Sequence, residues 1–463
     1  MVNGDIIPRM SKTDKYSLID GGIVNKLFFV AVPLIVTQVI QMAYNLTDMF
    51  WLGRLSSDAV AASGTVGLFL WLSMAFMMFG RMGAEIGVSQ NIGRGDKERA
   101  LVFAQNAIIT ALAFGIAIAL IYRFGRNLLI GFFSIQEAHV EQDAQDYLSI
   151  VCMGIPFTFL AAAISGVFNG SGNSRISLLI NGVGLALNMV LDPLLIFTAG
   201  LGISGAAIAT VIAQAAAGCL SVLALLKYKN RPFAKVLLFK RPDKRIVKQI
   251  FKWVTPISIE SFLFTFLSML TATLVFSYGA NAMAASRVGS QIESLTWLIA
   301  VGFASALTAF AGQNYGAGRW SRIHRCLKIA TAIMSGWGVV VSLILFFGSN
   351  ALFRVFIPDN PVVVGIGSEY LRIVALAQIP GCLEGVAAGL FRGQGKTVPP
   401  SVASGTTNAL RVVLAFVLSR YTALGLTGIW IALTVGMFAR GSWMYIWYLL
   451  YSRKTPKADS AAV

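Results

Sequence analysis

Twelve long apolar runs are the feature that most constrains how this chain folds. Each is about as long as a helix must be to cross a hydrocarbon core of about 30 Å at about 1.5 Å per residue. Because 56% of the residues are hydrophobic and only 12% are charged, the runs predict an all-α integral membrane protein. The predicted spans are residues 24–50, 58–92, 98–123, 145–168, 175–198, 205–227, 248–277, 282–315, 322–348, 367–391, 398–420 and 427–451.

The charges of the connections predict the orientation. Residues 227–248 hold nine lysines and arginines against the single acid Asp243, whereas residues 123–146 contain four acids and residues 199–204 carry no charge. By the positive-inside rule, both termini and the basic linker face the cytoplasm of a multi-pass protein in the plasma or inner membrane. Anionic lipid headgroups are the common partner of such a linker, and no nucleic-acid partner is expected.

A repeat with a constant offset divides the chain into two halves. Pro33 matches Pro256 (256 − 33 = 223), and the same offset places "SQNIGRG" on "GQNYGAG" and "FNGSG" on "FRGQG". Two units of six spans have the same orientation, so a pseudo-two-fold axis along the membrane normal is predicted, as in alternating-access transporters. The predicted divisions are an N-terminal segment, an N-lobe, a basic linker, a C-lobe and a tail, at residues 1–23, 24–227, 228–247, 248–451 and 452–463.

Polar side chains within the spans indicate where such a protein acts, because an ionised residue at the centre of a span costs roughly 2.5–3.5 kcal/mol. In the first span a polar face at helical spacing is predicted to line a cavity. An intramembrane acid such as Asp48 is functional by default, and the alternative is a cap or pair with a neighbouring helix. The residues of this face are Thr37, Gln38, Gln41, Tyr44, Asn45 and Asp48.

The fifth span contains a second acid in "GLALNMVLDPLLIF". Asn188 and Asp192 are four residues apart and share a helix face, and Pro193 cannot donate to the carbonyl of Met189. Together with the carboxylate of Asp48 and the hydroxyl of Thr210 in the sixth span, these oxygens would suit a sodium ion or a shared proton. A plain kink is the other explanation of Pro193.

The second repeat offers a competing site. Thr271 and Ala415 stand at the positions of Asp48 and Asp192 (271 − 48 = 223; 415 − 192 = 223). The other intramembrane acids of this half are Glu260, Glu293 and Glu384. Glu260 and Glu293 are predicted either to bind a cation or substrate, or to hold helices together by pairing with Arg287, Arg372 or Arg411.

Enzymatic chemistry has no support in the sequence. No catalytic constellation is visible, and the four cysteines and two histidines lie too far apart for a metal or disulfide framework. We therefore expect no enzyme, no cofactor and no metal other than a sodium ion at the acids of the first repeat.

The quoted stretches, with "YNLTDMFWLGRLSSDAVAASG" and "GLGISGAAIAT", resemble the multidrug and toxic compound extrusion (MATE) transporters, specifically the DinF-like branch. The resemblance covers nearly the whole chain. It implies a V-shaped twelve-helix fold that exports amphipathic organic cations, drugs or toxins, in exchange for protons or sodium. It also implies that Asp48 is the coupling acid, that Asn188, Asp192 and Thr210 complete the cation site, and that Tyr44, Asn45 and Tyr147 surround it.

The predicted mechanism is alternating access by a monomer. Asp48 and Asp192, if close together, are expected to hold a proton near neutral pH, and cation uptake from outside would favour expulsion of the drug. A flippase of lipid-linked precursors is the alternative, and its pyrophosphate cargo would need a strongly cationic cavity formed by Arg81, Arg287, Arg372, Arg392 and Arg411. A receptor or channel is the other class considered, but no filter motif or signalling domain is present.

Overall fold

A computed structural model describes residues 16–133, 135, 137–233, 241–358 and 360–459. The predicted N-terminal segment, basic linker and tail therefore lie partly outside the described residues. The described chain forms fourteen α-helices: α1 (Ile23–Leu55), α2 (Ser57–Gly93), α3 (Lys97–Gly131), α4 (Ala138–Val151), α5 (Ile155–Gly170), α6 (Ser174–Pro193), α7 (Gly202–Lys227), α8 (Lys244–Phe276), α9 (Ala280–Gly316), α10 (Trp320–Phe356), α11 (Pro361–Ala375), α12 (Gln378–Gly393), α13 (Val398–Tyr421) and α14 (Gly425–Arg453).

These helices confirm the predicted all-α, twelve-span architecture. Among the described residues, eleven helical segments are long and apolar enough to cross a membrane, and α11 with α12, bent by 52°, makes a twelfth. The first-lobe counterpart of that bent pair is α4 with α5, which a short 3₁₀ turn at Cys152–Gly154 separates. Pro156 stands in the first turn of α5, where a missing N–H costs nothing.

The repeat is visible in where the helices begin. Helices α2 and α9 start 223 residues apart (280 − 57 = 223), as do α7 and α14 (425 − 202 = 223). Gly95 and Gly318 both follow the end of a repeat-related helix with positive φ, 79° and 68°, a conformation that side chains disfavour. The turns that end the spans are thus duplicated along with the spans themselves.

Each lobe begins with a helix whose first half packs into the other lobe. Leu27, Val30 and Leu34 of α1 belong to a core cluster with Phe303 and Phe310 of α9. Reciprocally, Ile250 and Val254 of α8 join the core of the first lobe. The lobes therefore exchange their first half-helices rather than meeting along a flat boundary.

The lobes are joined at the side of the membrane on which the described chain begins and ends, which we call the terminus side. There Gln90 Nε2 donates to the Gly393 carbonyl and Gln313 Nε2 donates to the Gly170 carbonyl, both at 2.9 Å. The backbones touch so closely that a Cβ on Gly93 would overlap the Gln313 carbonyl, and one on Gly316 the Gln90 carbonyl. This symmetric contact places the pseudo-two-fold axis between α2 and α9.

The opposite side, which we call the open side, lacks such joins. In the described ranges, every hydrogen bond between the lobes lies from the middle of the spans towards the terminus side; the one nearest the middle runs from Ser258 Oγ to the Ala75 carbonyl at 2.7 Å. Beyond it, Trp71 of α2 and Phe262 of α8 are exposed. The molecule is a V that opens away from its termini.

Candidate functional site

The candidate site lies in the open half of the first lobe and starts from the polar face of α1. Asp48 stands seven residues before Leu55, where α1 ends (55 − 48 = 7). Tyr44, one turn earlier on the same face, donates its hydroxyl to Thr210 Oγ1 of α7 at 3.3 Å. The polar face of α1 that the sequence predicted thus faces α7 at Tyr44.

Helix α6 supplies the second part of the site. Asn188 and Asp192 are both fully buried, and Asn188 Nδ2 donates to Asp192 Oδ1 at 3.0 Å. Pro193 ends the α-helix and a π turn follows at Leu194–Thr198. A π turn after a proline shifts the helical hydrogen bonds by one residue, a local irregularity often found at functional sites.

Of the ten first-lobe residues that the sequence predicted, the structure brings six together, namely Tyr44, Asp48, Tyr147, Asn188, Asp192 and Thr210. The carboxylates of Asp48 and Asp192 lie close enough to interact electrostatically. Tyr147, which is buried, adjoins both carboxylates as well as Tyr44 and Thr210. Gln41 and Asn45 remain exposed on α1, and in the described ranges neither donates a hydrogen bond into this cluster.

The cluster is rich in acceptor oxygens that no donor satisfies. Asp48 Oδ1, Asp192 Oδ2 and Asn188 Oδ1 are each buried without a hydrogen-bond partner in the described part of the chain. None of the ion pairs among those residues involves Asp48 or Asp192. Buried carboxylates without a partner are costly, so this arrangement has the chemistry of a site for a proton or a small cation.

The acids of the second lobe are placed differently, because each has protein partners. Glu260 of α8 accepts from Ser401 Oγ at 2.9 Å and lies 3.5 Å from the guanidinium of Arg392. Arg392 is its partner instead of any of the three arginines that the sequence predicted, of which Arg287 is exposed.

Glu293 and Glu384 are also partnered. Glu293 accepts from the Tyr370 hydroxyl at 2.7 Å and from Trp297 Nε1 at 3.2 Å. Arg411 interacts with Glu293 electrostatically. Glu384 Oε2 lies 2.7 Å from Arg440 Nε, an ion pair without hydrogen-bond geometry. These carboxylates therefore carry the contacts of structural groups.

Glu85 of α2 is a buried acid that the sequence reasoning missed. It is completely buried and accepts from Ser305 Oγ of α9 at 3.0 Å, across the lobe boundary. Arg81, one turn earlier, and Arg392 of α12 both interact with it electrostatically. The spacing of four between Arg81 and Glu85 inside an apolar run was the available signal.

Comparisons with known proteins agree with this architecture. The sequence model of the MatE family matches residues 33–194 and 256–417. The two matches have equal length and the same offset as the repeat (256 − 33 = 223; 417 − 194 = 223).

Individual relatives cover nearly the whole chain. A protein named probable multidrug resistance protein NorM, from Thermotoga maritima, is 26% identical over 92% of this chain and 92% of its own. A crystal structure of MATE in the bent conformation superposes with a TM-score of 0.90 at 21% identity, over 96% of this chain and 98% of that one. The outward-facing conformation of a multidrug resistance MATE family transporter of the MOP superfamily gives 0.89 at 21% identity, over 96% and 99%.

Proposed function

The chain belongs to the MatE family of transporters, and on that premise we propose that it is a secondary active efflux antiporter. It exports amphipathic organic cations, drugs or toxins, in exchange for protons or sodium ions by alternating access. The name of the NorM relative, a probable multidrug resistance protein, supports drugs as cargo. The observation that carries the proposal is the set of three unpartnered buried oxygens on Asp48, Asn188 and Asp192.

The coupling step follows from those oxygens. Two carboxylates close together and away from cations gain most from a proton or Na⁺ that arrives from the open side. Binding neutralises the face of α1 next to Tyr44 and Thr210 and so lowers the cost of burying it when the open side closes. A coupling ion and a drug that favour different conformations exchange across the membrane.

The orientation and the divisions of the chain follow the charge pattern. We place the terminus side in the cytoplasm of a cell-membrane protein, so the described conformation faces outward. We retain the N-lobe at 24–227 and the C-lobe at 248–451, joined by the basic linker. The protein acts as a monomer, and the stretches quoted from the sequence favour the DinF-like branch.

Proteoliposomes under an imposed proton gradient or, separately, a sodium gradient provide the test. A planar organic cation such as ethidium should dissipate one of the two gradients with wild-type protein and not with Asp48→Asn. The matched control is Thr271→Asn, which puts the same side chain at the equivalent second-lobe position (271 − 48 = 223). That control should keep wild-type dissipation.

Two results would overturn the proposal. If Asp48→Asn still couples the drug to either gradient, the first-lobe site is not the coupling site. If neither gradient responds to any of a panel of organic cations, drug antiport is wrong and lipid-linked precursors become the cargo to test. The arginines that such a flippase needs already have acid neighbours in three cases: Arg81, Arg392 and Arg411.

A further inference from the structure

A large groove lies between α8 and α13 on the terminus side of the second lobe, away from the candidate cation site. Its volume is about 1090 Å³. Helix α13 packs mainly against α14 and α8, within its own lobe. The groove is open along its length, since Lys252, Ile259, Val402 and Thr406 on its walls are exposed.

The chemistry of the groove changes along α8. Arg245, Lys248 and Lys252 lie at its mouth, spaced by three and four residues, so they share one face of the helix. Deeper in, the wall becomes apolar with Ile259 and Leu263. Glu260 also borders this part, but Arg392 and Ser401 already engage its carboxylate.

The dimensions match one leaflet of a bilayer. From Lys252 to Leu263 the groove follows eleven residues of α8 (263 − 252 = 11). At about 1.5 Å per residue this is about 16 Å, close to half of a hydrocarbon core of about 30 Å. A phosphate at the three cations would therefore leave acyl chains alongside the apolar wall.

None of these three α8 cations is repeated in α1 or just before it. The positions that match Arg245, Lys248 and Lys252 are Gly22, Asn25 and Phe29 (245 − 22 = 248 − 25 = 252 − 29 = 223). The three cations of α8 are thus particular to this groove, whereas in the first lobe the guanidinium of Arg175, from α6, lies over the ring of Phe29.

We propose that the α8–α13 groove is a specific site for one anionic phospholipid of the terminus-side leaflet, with its phosphate on Arg245, Lys248 and Lys252 and its acyl chains along Ile259, Leu263 and Val402. Charge complementarity selects an anionic amphiphile, since the three cations at the mouth repel an organic cation. The site does not depend on the transport function, because lipid binding is measured without any gradient.

Native mass spectrometry of the purified full-length protein, with phosphatidylglycerol or phosphatidylcholine added in equal amounts, tests the site. Wild type should retain phosphatidylglycerol selectively. Each basic residue near anionic lipid contributes about a five-fold preference, so Lys248→Gln with Lys252→Gln should reduce that selectivity about 30-fold.

The control removes two exposed cations on the same side of the membrane, Arg325 and Lys328 of α10, which lie outside the groove. Arg325→Gln with Lys328→Gln should keep wild-type retention. A third variant, Gly405→Leu, fills the apolar part, because a Cβ there would meet only Leu263 Cδ1, at 3.7 Å. It should also release phosphatidylglycerol while the cations remain.

Three outcomes would overturn the assignment. Equal loss in both double variants would mean that diffuse surface charge holds the lipid. If Gly405→Leu retained phosphatidylglycerol as well as wild type does, the acyl chains would not lie in the groove. Displacement of phosphatidylglycerol from wild type by a planar organic cation would make the groove a drug site.

Discussion

The two lobes repeat the same set of helices, but one equivalent position carries a neutral amide in the first lobe and a cation in the second. Asn188 of the first lobe corresponds to Arg411 of the second (411 − 188 = 223), and Tyr147 corresponds to Tyr370 (370 − 147 = 223). Tyr147 adjoins two carboxylates that have unpartnered oxygens. Tyr370 instead donates to Glu293, and Arg411 interacts electrostatically with Tyr370 and with Glu293.

This difference indicates which acids of the two repeats are available to bind a cation. At the equivalent place the second lobe carries the guanidinium of Arg411, whereas the first lobe has carboxylate and amide oxygens without a partner. A carboxylate that already has its cation gains little from another one. In the antiport mechanism that we propose, the coupling cation therefore binds in the first lobe, where the buried oxygens have no protein cation.

The strongest contrast is between Asp192→Asn and Glu384→Gln. Asp192→Asn should reduce gradient-driven efflux to the level of empty liposomes without lowering the melting temperature, because it removes a buried charge that no ion pair satisfies. Glu384→Gln should instead destabilise the protein by about 3 kcal/mol, because it leaves the mostly buried guanidinium of Arg440 without its ion-pair partner.

Efflux assays and thermal unfolding in the same detergent measure both effects. The contrast between the lobes fails if Asp192→Asn unfolds at lower temperature than wild type, or if Glu384→Gln is as stable as wild type.

The symmetric glutamines offer a second, smaller contrast. Gln90→Ala removes one hydrogen bond between the lobes. The loss, about 1 kcal/mol, should shift the equilibrium between the conformation open at the open side and the conformation open at the terminus side about five-fold. Gln313 also accepts from the Leu18 backbone N–H at 2.9 Å. Gln313→Ala should therefore shift the same equilibrium by about 30-fold, for about 2 kcal/mol.

Spin labels at the repeat-related positions Ser57 and Ala280, at the open side, report this equilibrium as a distance (280 − 57 = 223). The cysteines at 152, 219, 326 and 382 are replaced beforehand. Both variants should increase the population with the shorter distance. Equal shifts would show that the bond to Leu18 does not contribute.

The smallest expected effect comes from a variant that makes the second lobe resemble the first. In an Asp48→Asn background, Arg411→Asn leaves Glu293 with the donors Tyr370 and Trp297 but without its guanidinium. We expect the melting temperature to gain a dependence on Na⁺ of about 2 °C at saturating salt. Arg287→Asn, at an exposed position of α9, is the control and should add no such dependence. A flat response to Na⁺ in both variants would contradict the idea that Arg411 replaces an external cation.

Much of this architecture follows from the sequence, because spans and repeats depend on local composition. The boundaries that differ most have a physical reason. The fourth span was predicted from residue 145, yet α4 begins at Ala138, because its first turns contain Glu141 and Asp143 and do not read as apolar. Similarly, α3 continues to Gly131 past Arg123 and Arg126.

The site was predictable only in part. Asp48, Asn188 and Asp192 are charged or polar residues in apolar runs. Spacing grouped Asn188 with Asp192, whereas the resemblance to MATE transporters implied that Asp48 belongs to the same site. The partners of Glu260 and Glu293 depend on helix packing between distant segments, which no local pattern contains. For Glu85, the spacing of four from Arg81 was a local signal, but its hydrogen bond with Ser305 on the other lobe is not contained in any local pattern.

The exchange of half-helices between the lobes has a consequence for synthesis. Leu27 finds Phe303 as a core neighbour only 276 residues later (303 − 27 = 276). At roughly 5–20 residues per second, that is about 14–55 s of translation. During this time the first half of α1 has only lipid or the insertion machinery to cover the face that it later buries. Maturation of the first lobe is therefore expected to wait for the second, and a chain interrupted at the linker would present an unfinished surface to membrane quality control.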